Sequence, residues 1–117
     1  MHELSIIQSV VETVTEWLAK QPVRRITAVH MRVGVLSGVV DDALLFGYEV
    51  ATAGTPLEGS SLVVHTVPII LHCPRCNTLE EIAGASHFCC PHCGTPTADV
   101  RQGREIEIES VEVEDEE

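Results

Sequence analysis

The sequence predicts an α+β fold in which a cysteine-rich segment is inserted into one small sheet. Helix-like and strand-like hydrophobic patterns alternate along the chain, in the order helix, strand, helix, strand, cysteine segment, strand. The last strand cannot bury its apolar side chains alone, so we expect it to return to the sheet that the first two strands begin. A chain of 117 residues has room for one compact domain that carries such an insertion.

The first two elements are an amphipathic helix and a half-buried strand. Apolar residues recur at intervals of three and four from Leu4 to Leu18, and Pro22 ends the helix. From Ile26 to Leu36 the sequence alternates in the way that is typical of a strand with one buried face. We expect one face to carry Thr27, Val29, Met31, Val33 and Val35, and the other to carry Ala28, His30 and Arg32.

A second helix and a second strand follow. Asp41 or Asp42 stands where a helix N-cap is expected, and Gly54 stands where the helix would stop. The segment from Leu62 to Leu71 is rich in Val and Ile, which is typical of a strand. Pro68 has no amide hydrogen to donate, so the later part of this segment is predicted to be an edge or a break.

The last strand is predicted from an alternation of Glu with Ile or Val between Arg104 and Val113. Ile106 and Ile108 are expected on its buried face. After Ser110 the apolar residues move from even to odd positions, so the strand must either contain a bulge there or end.

Charge and composition argue against several classes of function. The formal net charge is -11 at pH 7, and eight of the eighteen acids lie from Glu105 onward. A partner nucleic acid is not expected, because the sequence offers no basic, aromatic-bearing surface. We also expect a cytoplasmic protein without membrane contact, since there is no signal peptide and no segment with the length of a transmembrane helix. No paired nucleophile and base point to an enzyme.

Two Cys-x2-Cys motifs form the most specific pattern in the chain. Cys73 and Cys76 are separated by thirteen residues from Cys90 and Cys93. This spacing allows four thiolates to surround one ion, and zinc is the expected occupant. The alternative is four unrelated buried thiols or two disulfides, and disulfides are rare in a reducing compartment. Cys89 could chelate in place of Cys90, although the two-residue spacing favours Cys90 and leaves Cys89 as a spare thiol.

A cage of four thiolates leaves the function open. Tetrahedral sulfur also suits iron, so an electron carrier of the rubredoxin kind is one hypothesis. A zinc-ribbon interaction module for nucleic acid is another, and the acidic balance counts against it. A closed cage has no open coordination position, so the metal is expected to be structural.

The N-terminus is a second candidate metal site. The amine of Met1, the amide nitrogen of His2 and the His2 imidazole can close two fused chelate rings. Nickel(II) and copper(II) favour such tetragonal nitrogen sites. Glu3 and Asp42 are candidates for the remaining position. The alternative is a solvated histidine beside a glutamate that complements the dipole of the first helix.

The other histidines are weaker candidates for metal ligands. We expect His30 to be solvated on the polar face of its strand. His92 lies inside the second Cys-x2-Cys motif, and each such motif is called a knuckle below. His92 could not replace a cysteine without opening this knuckle, so it is expected beside the cluster or exposed. For the remaining three, His65, His72 and His87, metal binding is the less favoured interpretation.

Three features in this order resemble the HypA/HybF hydrogenase maturation factors, a family of nickel metallochaperones. They are the helix start Met1-His2-Glu3-Leu4, the segment Val33-Gly34-Val35-Leu36-Ser37-Gly38-Val39 ahead of Asp42, and the paired cysteine motifs ahead of a C-terminal Glu/Ile strand. The resemblance covers nearly the whole chain. It implies two helices on a three-stranded, mainly antiparallel sheet, with an inserted zinc-ribbon-like domain.

Two domains that bind different metals are expected. We expect a discontinuous nickel-binding domain of residues 1–68 and 105–117, and a zinc-binding domain of residues 69–104. The resemblance implies Ni(II) as the transferred metal, with His2 as its essential ligand, and Zn(II) as the structural metal. Nickel is assigned to Met1, His2, Glu3 and Asp42, and zinc to Cys73, Cys76, Cys90 and Cys93.

The resemblance also implies partners. They are a HypB-type GTPase and the large subunit of a nickel-iron hydrogenase, with urease maturation proteins as a further candidate. In some members of the family a histidine follows the second cysteine of a knuckle and can enter the zinc shell. This sequence has Asn77 and Gly94 at those positions, so we expect no exchange of zinc ligands by that route.

Overall fold

The computed structural model describes residues 2–84 and 87–115 and confirms the predicted α+β class. Two three-stranded sheets are present in these residues, with the strand orders β2-β1-β6 and β4-β3-β5. In chain order the elements are α1 (His2–Leu18), β1 (Val23–Gly34), a 3-10 helix (Val35–Ser37), α2 (Asp41–Thr52), β2 (Ser61–Val67), β3 (Ile69–Cys73), β4 (Thr78–Ile82), β5 (Val100–Gln102) and β6 (Ile106–Asp115).

The chain divides into two compact units. Unit 1 comprises Met1–Met31, Val39–Val64 and Ile108–Glu117, and unit 2 comprises Arg32–Gly38 and His65–Glu107. Both units are therefore assembled from segments that are distant in the sequence.

Unit 1 is built on the amphipathic stripe of α1. Ile7, Val10 and Val14 are buried at helical spacing, and α1 packs against α2, where Leu44 is fully buried. Full burial of a side chain of this size contributes about 1.5–3 kcal/mol. The sequence periodicity that predicted α1 is thus the pattern that forms the core of this unit.

β1 ends earlier than predicted. The strand stops at Gly34, and Val35, which was expected on the buried face, is exposed in the 3-10 helix. The backbone turns here because Gly34 N–H donates to the Glu105 carbonyl at 2.7 Å and Leu36 N–H donates to the Gly103 carbonyl at 2.7 Å. The prediction of a strand continuing to Leu36 was wrong, because contacts distant in sequence end the strand.

The predicted strand from Leu62 to Leu71 is divided at Pro68. β2 ends at Val67, and β3 begins at Ile69 in the other sheet. The proline break was expected, but the sequence did not indicate that the two halves join different sheets.

β6 returns to β1, as predicted. Within unit 1, Arg25 Nε lies 3.6 Å from Glu114 Oε2, and within unit 2, Arg32 Nη1 lies 2.6 Å from Glu107 Oε1. These contacts run in opposite directions along the two strands, so the pairing is antiparallel. The predicted burial of Ile106 was wrong, since 41% of this residue is exposed.

Asp41 and Asp42 do not cap α2. The N-cap residue is Val40, whose side chain makes no capping hydrogen bond, and both aspartates lie in the first helical turn. Carboxylates in this turn complement the positive end of the helix dipole. Gly54, where the helix was expected to stop, has a φ of +77° just beyond the last helical residue, Thr52.

Candidate metal centres

The first cysteine knuckle closes a hairpin. β3 and β4 pair antiparallel from Ile69↔Ile82 to Cys73↔Thr78, so Cys73 is the last residue of its strand and Cys76 lies in the turn. The Cys76 N–H donates to Cys73 Sγ at 3.3 Å. A hydrogen bond from a backbone N–H stabilises a thiolate, because the positive end of the N–H dipole points at the sulfur.

The second knuckle has a related turn, but its first cysteine does not lie in a strand, and the amide that reaches its first sulfur belongs to the residue before the second cysteine. The His92 N–H donates to Cys90 Sγ at 3.4 Å, and the Gly94 N–H donates to the Cys90 carbonyl at 2.9 Å. The residue after the second cysteine has a positive φ in both knuckles, 54° at Asn77 and 75° at Gly94. Asn and Gly are the residues that tolerate this conformation best, which explains their presence at these turns.

The two knuckles bring four sulfur atoms together. The Sγ atoms of Cys73, Cys76, Cys90 and Cys93 all lie within 4.8 Å of one another, with 3.6 Å between Cys73 and Cys93 and 4.0 Å between Cys76 and Cys90. Thiolates at about 2.3 Å from a tetrahedral zinc ion are about 3.8 Å apart, so the cluster has the size of a zinc site. All four thiols are free of disulfides, and the donor set suits zinc.

The protonation of the cluster is set by Thr95 and by the sulfurs themselves. The Thr95 hydroxyl lies 3.0 Å from Cys93 Sγ, and its hydrogen bond, together with one from the Thr95 amide, lowers the pKa of Cys93 to about 6. Hydrogen bonds to Cys93 and then to Cys73 raise the pKa of Cys76 to about 12. Without a cation, the Cys76 thiol therefore keeps its proton at neutral pH, and a bound dication must displace that proton.

Cys89 lies outside this cluster. The backbone of Cys89 forms an isolated antiparallel β-bridge with Pro96. Cys89 is partly exposed, whereas Cys90 is buried. Of the two neighbouring thiols, the structure therefore brings only Cys90 to the other three sulfurs.

The predicted nickel residues fall partly outside the described chain. Met1 and the side chain of His2 lie outside it, while the backbone of His2 begins α1. Glu3 Oε2 accepts a hydrogen bond of 3.3 Å from the Val40 N–H, at the N-terminus of α2. Asp42 lies in the first turn of that helix. The N-terminal ends of α1 and α2 therefore lie together, and Glu3 of α1 is near the first turn of α2, which contains Asp42.

Comparison with known proteins identifies the family. The family model described as "Hydrogenase/urease nickel incorporation, metallochaperone, hypA" matches residues 1–113. The chain belongs to the HypA family. "Hydrogenase maturation factor HypA" of Roseiflexus sp. (strain RS-1) is 49% identical over 115 residues, covering 98% of this chain and 94% of that protein. "Guanidine hydrolase-activating protein A" of Synechocystis sp. (strain ATCC 27184 / PCC 6803 / Kazusa) is 34% identical and covers 96% and 94%.

Solved structures of the HypA family share the fold. One, described as "Solution structure of HypA protein", has a TM-score of 0.73 at 20% identity, covering 99% of this chain and 98% of that one. The solution structure of the Ni metallochaperone HypA from Helicobacter pylori has a TM-score of 0.67 at 19% identity, covering 97% and 98%. The family is one of maturation factors and metallochaperones.

Histidines near the cysteine cluster of this HypA-family chain have carboxylate partners. His92 Nε2 lies 3.1 Å from Glu80 Oε1, and His72 Nδ1 lies 3.3 Å from Asp99 Oδ2. In the described part of the chain, no group of three or more potential ligands apart from the four cysteines lies close enough to hold an ion. No sequence pattern indicated the role of Thr95, although it follows Cys93 by two residues and its hydroxyl reaches that sulfur through the local turn of the knuckle.

His30 also differs from its predicted environment. It was expected to be solvated, but its side chain is only 19% exposed, and its Nε2 lies 2.5 Å from Oε2 of Glu112 on the neighbouring strand.

None of the helices in the described residues is both long and apolar enough to cross a membrane.

Proposed function

We propose that this protein binds Ni(II) at its N-terminus and delivers it during the maturation of nickel-iron hydrogenase. The observation that carries the proposal is the match of residues 1–113 to a family of nickel-incorporating metallochaperones. The Met1 amine, the His2 amide nitrogen and the His2 imidazole supply three nitrogens in one plane, which is the geometry that nickel(II) favours. Glu3 and Asp42 are the proposed donors for the remaining coordination position.

The two metals have different roles in this proposal. Cys73, Cys76, Cys90 and Cys93 would hold zinc in a closed cage that contributes folding energy and exchanges slowly. The N-terminal nickel site is incomplete and open, so a receiving site can replace its ligands one at a time. The proposed zinc-binding domain spans residues 69–104, and residues 1–68 and 105–117 form the proposed nickel-binding domain.

Glu3 has a competing role, and this makes its contribution to nickel binding testable. Its carboxylate accepts the Val40 N–H at 3.3 Å, which stabilises the N-terminus of α2 by satisfying an otherwise unpaired amide. A nickel ion that recruits Glu3 would take the carboxylate from this bond. Nickel binding by Glu3 would therefore remove a hydrogen bond from the N-terminus of α2.

The proposed partners follow the same logic. A HypB-type GTPase and the hydrogenase large subunit would act with the protein in the cytoplasm, where a reducing environment keeps the cysteines available for zinc. Urease maturation proteins are a further candidate, because the family description names urease beside hydrogenase. The relative named for a guanidine hydrolase adds a third class of receiving enzyme.

Nickel titration of the zinc-loaded protein tests the proposal. We expect one Ni(II) per chain for the unmodified protein and loss of that binding in His2→Ala. The exposed His87 provides the matched control, since His87→Ala removes an imidazole far along the sequence and should bind nickel normally. An N-terminal extension of two residues should also abolish binding, because it moves the amine away from His2. Equal nickel affinity in His2→Ala and the unmodified protein would refute the proposed site.

Metal analysis of the purified protein distinguishes the proposed function from that of an electron carrier. An electron carrier would contain iron in the four-cysteine cage and be coloured, whereas the proposal requires colourless zinc.

A further inference from the structure

β6 is an edge strand of its sheet in the part of the chain that the structure describes. In the described part of the sheet it pairs only with β1, in the order β2-β1-β6. Glu109, Ser110 and Glu112 are exposed along it, and Val113 is also exposed. An edge strand presents a row of backbone N–H and C=O groups that a further strand can pair with.

An apolar groove runs beside this edge. α1 and β6 line it within unit 1, and its volume is about 340 Å³. Trp17, the only tryptophan in the chain, is 39% exposed there. A partly exposed tryptophan beside an apolar groove is typical of the residues that dominate binding surfaces. The lining residues are Thr13, Val14 and Trp17 of α1 and Ile108, Ser110 and Val111 of β6.

The charge around the groove limits what can occupy it. From Ile108 onward β6 carries only acids among its charged residues. Glu112 and Glu114 contact His30 and Arg25, but their side chains remain 60% and 38% exposed. A second copy of β6 would place acids opposite acids, which opposes pairing. A strand that bears basic residues would instead complement them.

We propose that β6 and this groove bind an extended segment of a partner protein in which apolar residues alternate with Lys or Arg. The segment adds a strand to the free edge of β6, and backbone hydrogen bonds supply part of the affinity. Its apolar side chains enter the groove beside Trp17, while its basic side chains lie against Glu109, Glu112 and Glu114. None of the residues that line the groove is a proposed metal ligand.

A synthetic peptide of eight alternating Lys and Val residues is the probe. Because Trp17 is the only tryptophan, its fluorescence should shift to the blue as the peptide saturates the zinc-loaded protein. Binding should weaken as salt increases, since the acidic rim contributes. A peptide with Glu in place of Lys should not bind. A peptide with proline replacing a central Val should bind at least tenfold more weakly, because proline cannot donate a backbone hydrogen bond.

Variants locate the surface by calorimetry. Trp17→Ala and Ser110→Lys should each weaken peptide binding at least fivefold, the first by removing the apolar contact and the second by placing a base in the groove. Val50→Ala is the matched control, since Val50 is an exposed apolar residue of α2 in the same unit (56% exposed), and it should leave binding unchanged. Melting curves of all three establish that they fold.

Three outcomes would overturn the proposal. The first is equal binding of the proline peptide, which would mean attraction of charge without strand addition. The second is loss of binding in Val50→Ala with normal binding in Trp17→Ala, which would place the surface on α2. The third is a concentration-dependent dimer that the peptide dissociates, which would make a second copy of this chain the occupant.

Discussion

Cys89 and Cys90 are adjacent in sequence but differ in what surrounds their sulfur atoms. Cys90 is buried in the four-sulfur cluster and its Sγ accepts the His92 amide, whereas Cys89 is partly exposed and lies outside the cluster. Sequence spacing favoured Cys90, and the structure adds the physical reason. The backbone of the second knuckle turns around the Cys90 sulfur and carries the neighbouring thiol away.

Replacing each of these cysteines with serine should therefore give different results. Cys89→Ser should retain one zinc per chain and an unchanged melting temperature. Cys90→Ser should lose zinc in competition with a chelator, because a hydroxyl is a poor substitute for a thiolate ligand. Its melting temperature should fall by about 4 °C or more, the shift that about 1 kcal/mol produces in a small domain.

Zinc content by atomic emission and thermal unfolding by circular dichroism measure these effects. Both variants carry the same chemical change at neighbouring positions, so each serves as the control for the other. Loss of zinc from Cys89→Ser with retention in Cys90→Ser would mean that the second knuckle uses the other thiol.

Among the elements, those with a long hydrophobic pattern could be predicted and those defined by their neighbours could not. α1 has four helical turns of apolar stripe, so its existence follows from the sequence. β4 and β5 have five and three residues, and Leu79 of β4 is exposed. They are strands because each pairs with β3, which no local pattern of such length encodes.

The same distinction applies to the metal sites. The two Cys-x2-Cys motifs predicted a four-cysteine cluster, because the spacing within each knuckle is a local property of the sequence. The meeting of Glu3 with the start of α2 depends on how two helices pack, so sequence could offer Glu3 and Asp42 only as separate candidates. The wrong N-cap assignment has the same cause, since the carboxylate at the Val40 amide comes from another helix.

The end of β1 depends on a glycine in close contact with another segment. A Cβ atom built on Gly34 would lie 2.0 Å from the carbonyl oxygen of Gly103, and backbone atoms cannot move aside as a flexible side chain can. Gly34 N–H also donates to the Glu105 carbonyl at 2.7 Å. Any side chain at this position must separate the two segments or break that hydrogen bond.

Gly34→Ala should accordingly lower the free energy of unfolding by about 2–4 kcal/mol, the range of a severe overpacking change. Gly84→Ala is the matched control, because a Cβ at Gly84 meets nothing within 4 Å. It should be neutral or stabilise slightly by restricting the unfolded chain. Chemical denaturation of the two zinc-loaded variants measures the difference, and equal stability would mean that the segments separate at little cost.

At the scale of the whole molecule, the two units depend on different sources of stability. Unit 1 buries apolar side chains from α1, β1 and α2. Among the described residues, unit 2 has fewer large buried side chains than unit 1, and two of its buried residues, Cys73 and Cys90, belong to the sulfur cluster. An apolar core of limited size needs a further constraint such as a metal ion.

Removal of zinc should therefore affect the units unequally. After chelation, amide hydrogen exchange should accelerate strongly in β3, β4 and β5, because the first knuckle no longer fixes the β3–β4 hairpin and β5 pairs with β3. The buried stripe of α1 and the α2 helix should keep most of their protection, since their packing contains no metal. Peptide-resolved mass spectrometry measures this difference, and adding zinc back provides the control. Unchanged protection in β3 would mean that zinc is not required for the fold of unit 2, whereas equal loss in α1 would mean that the two units unfold together.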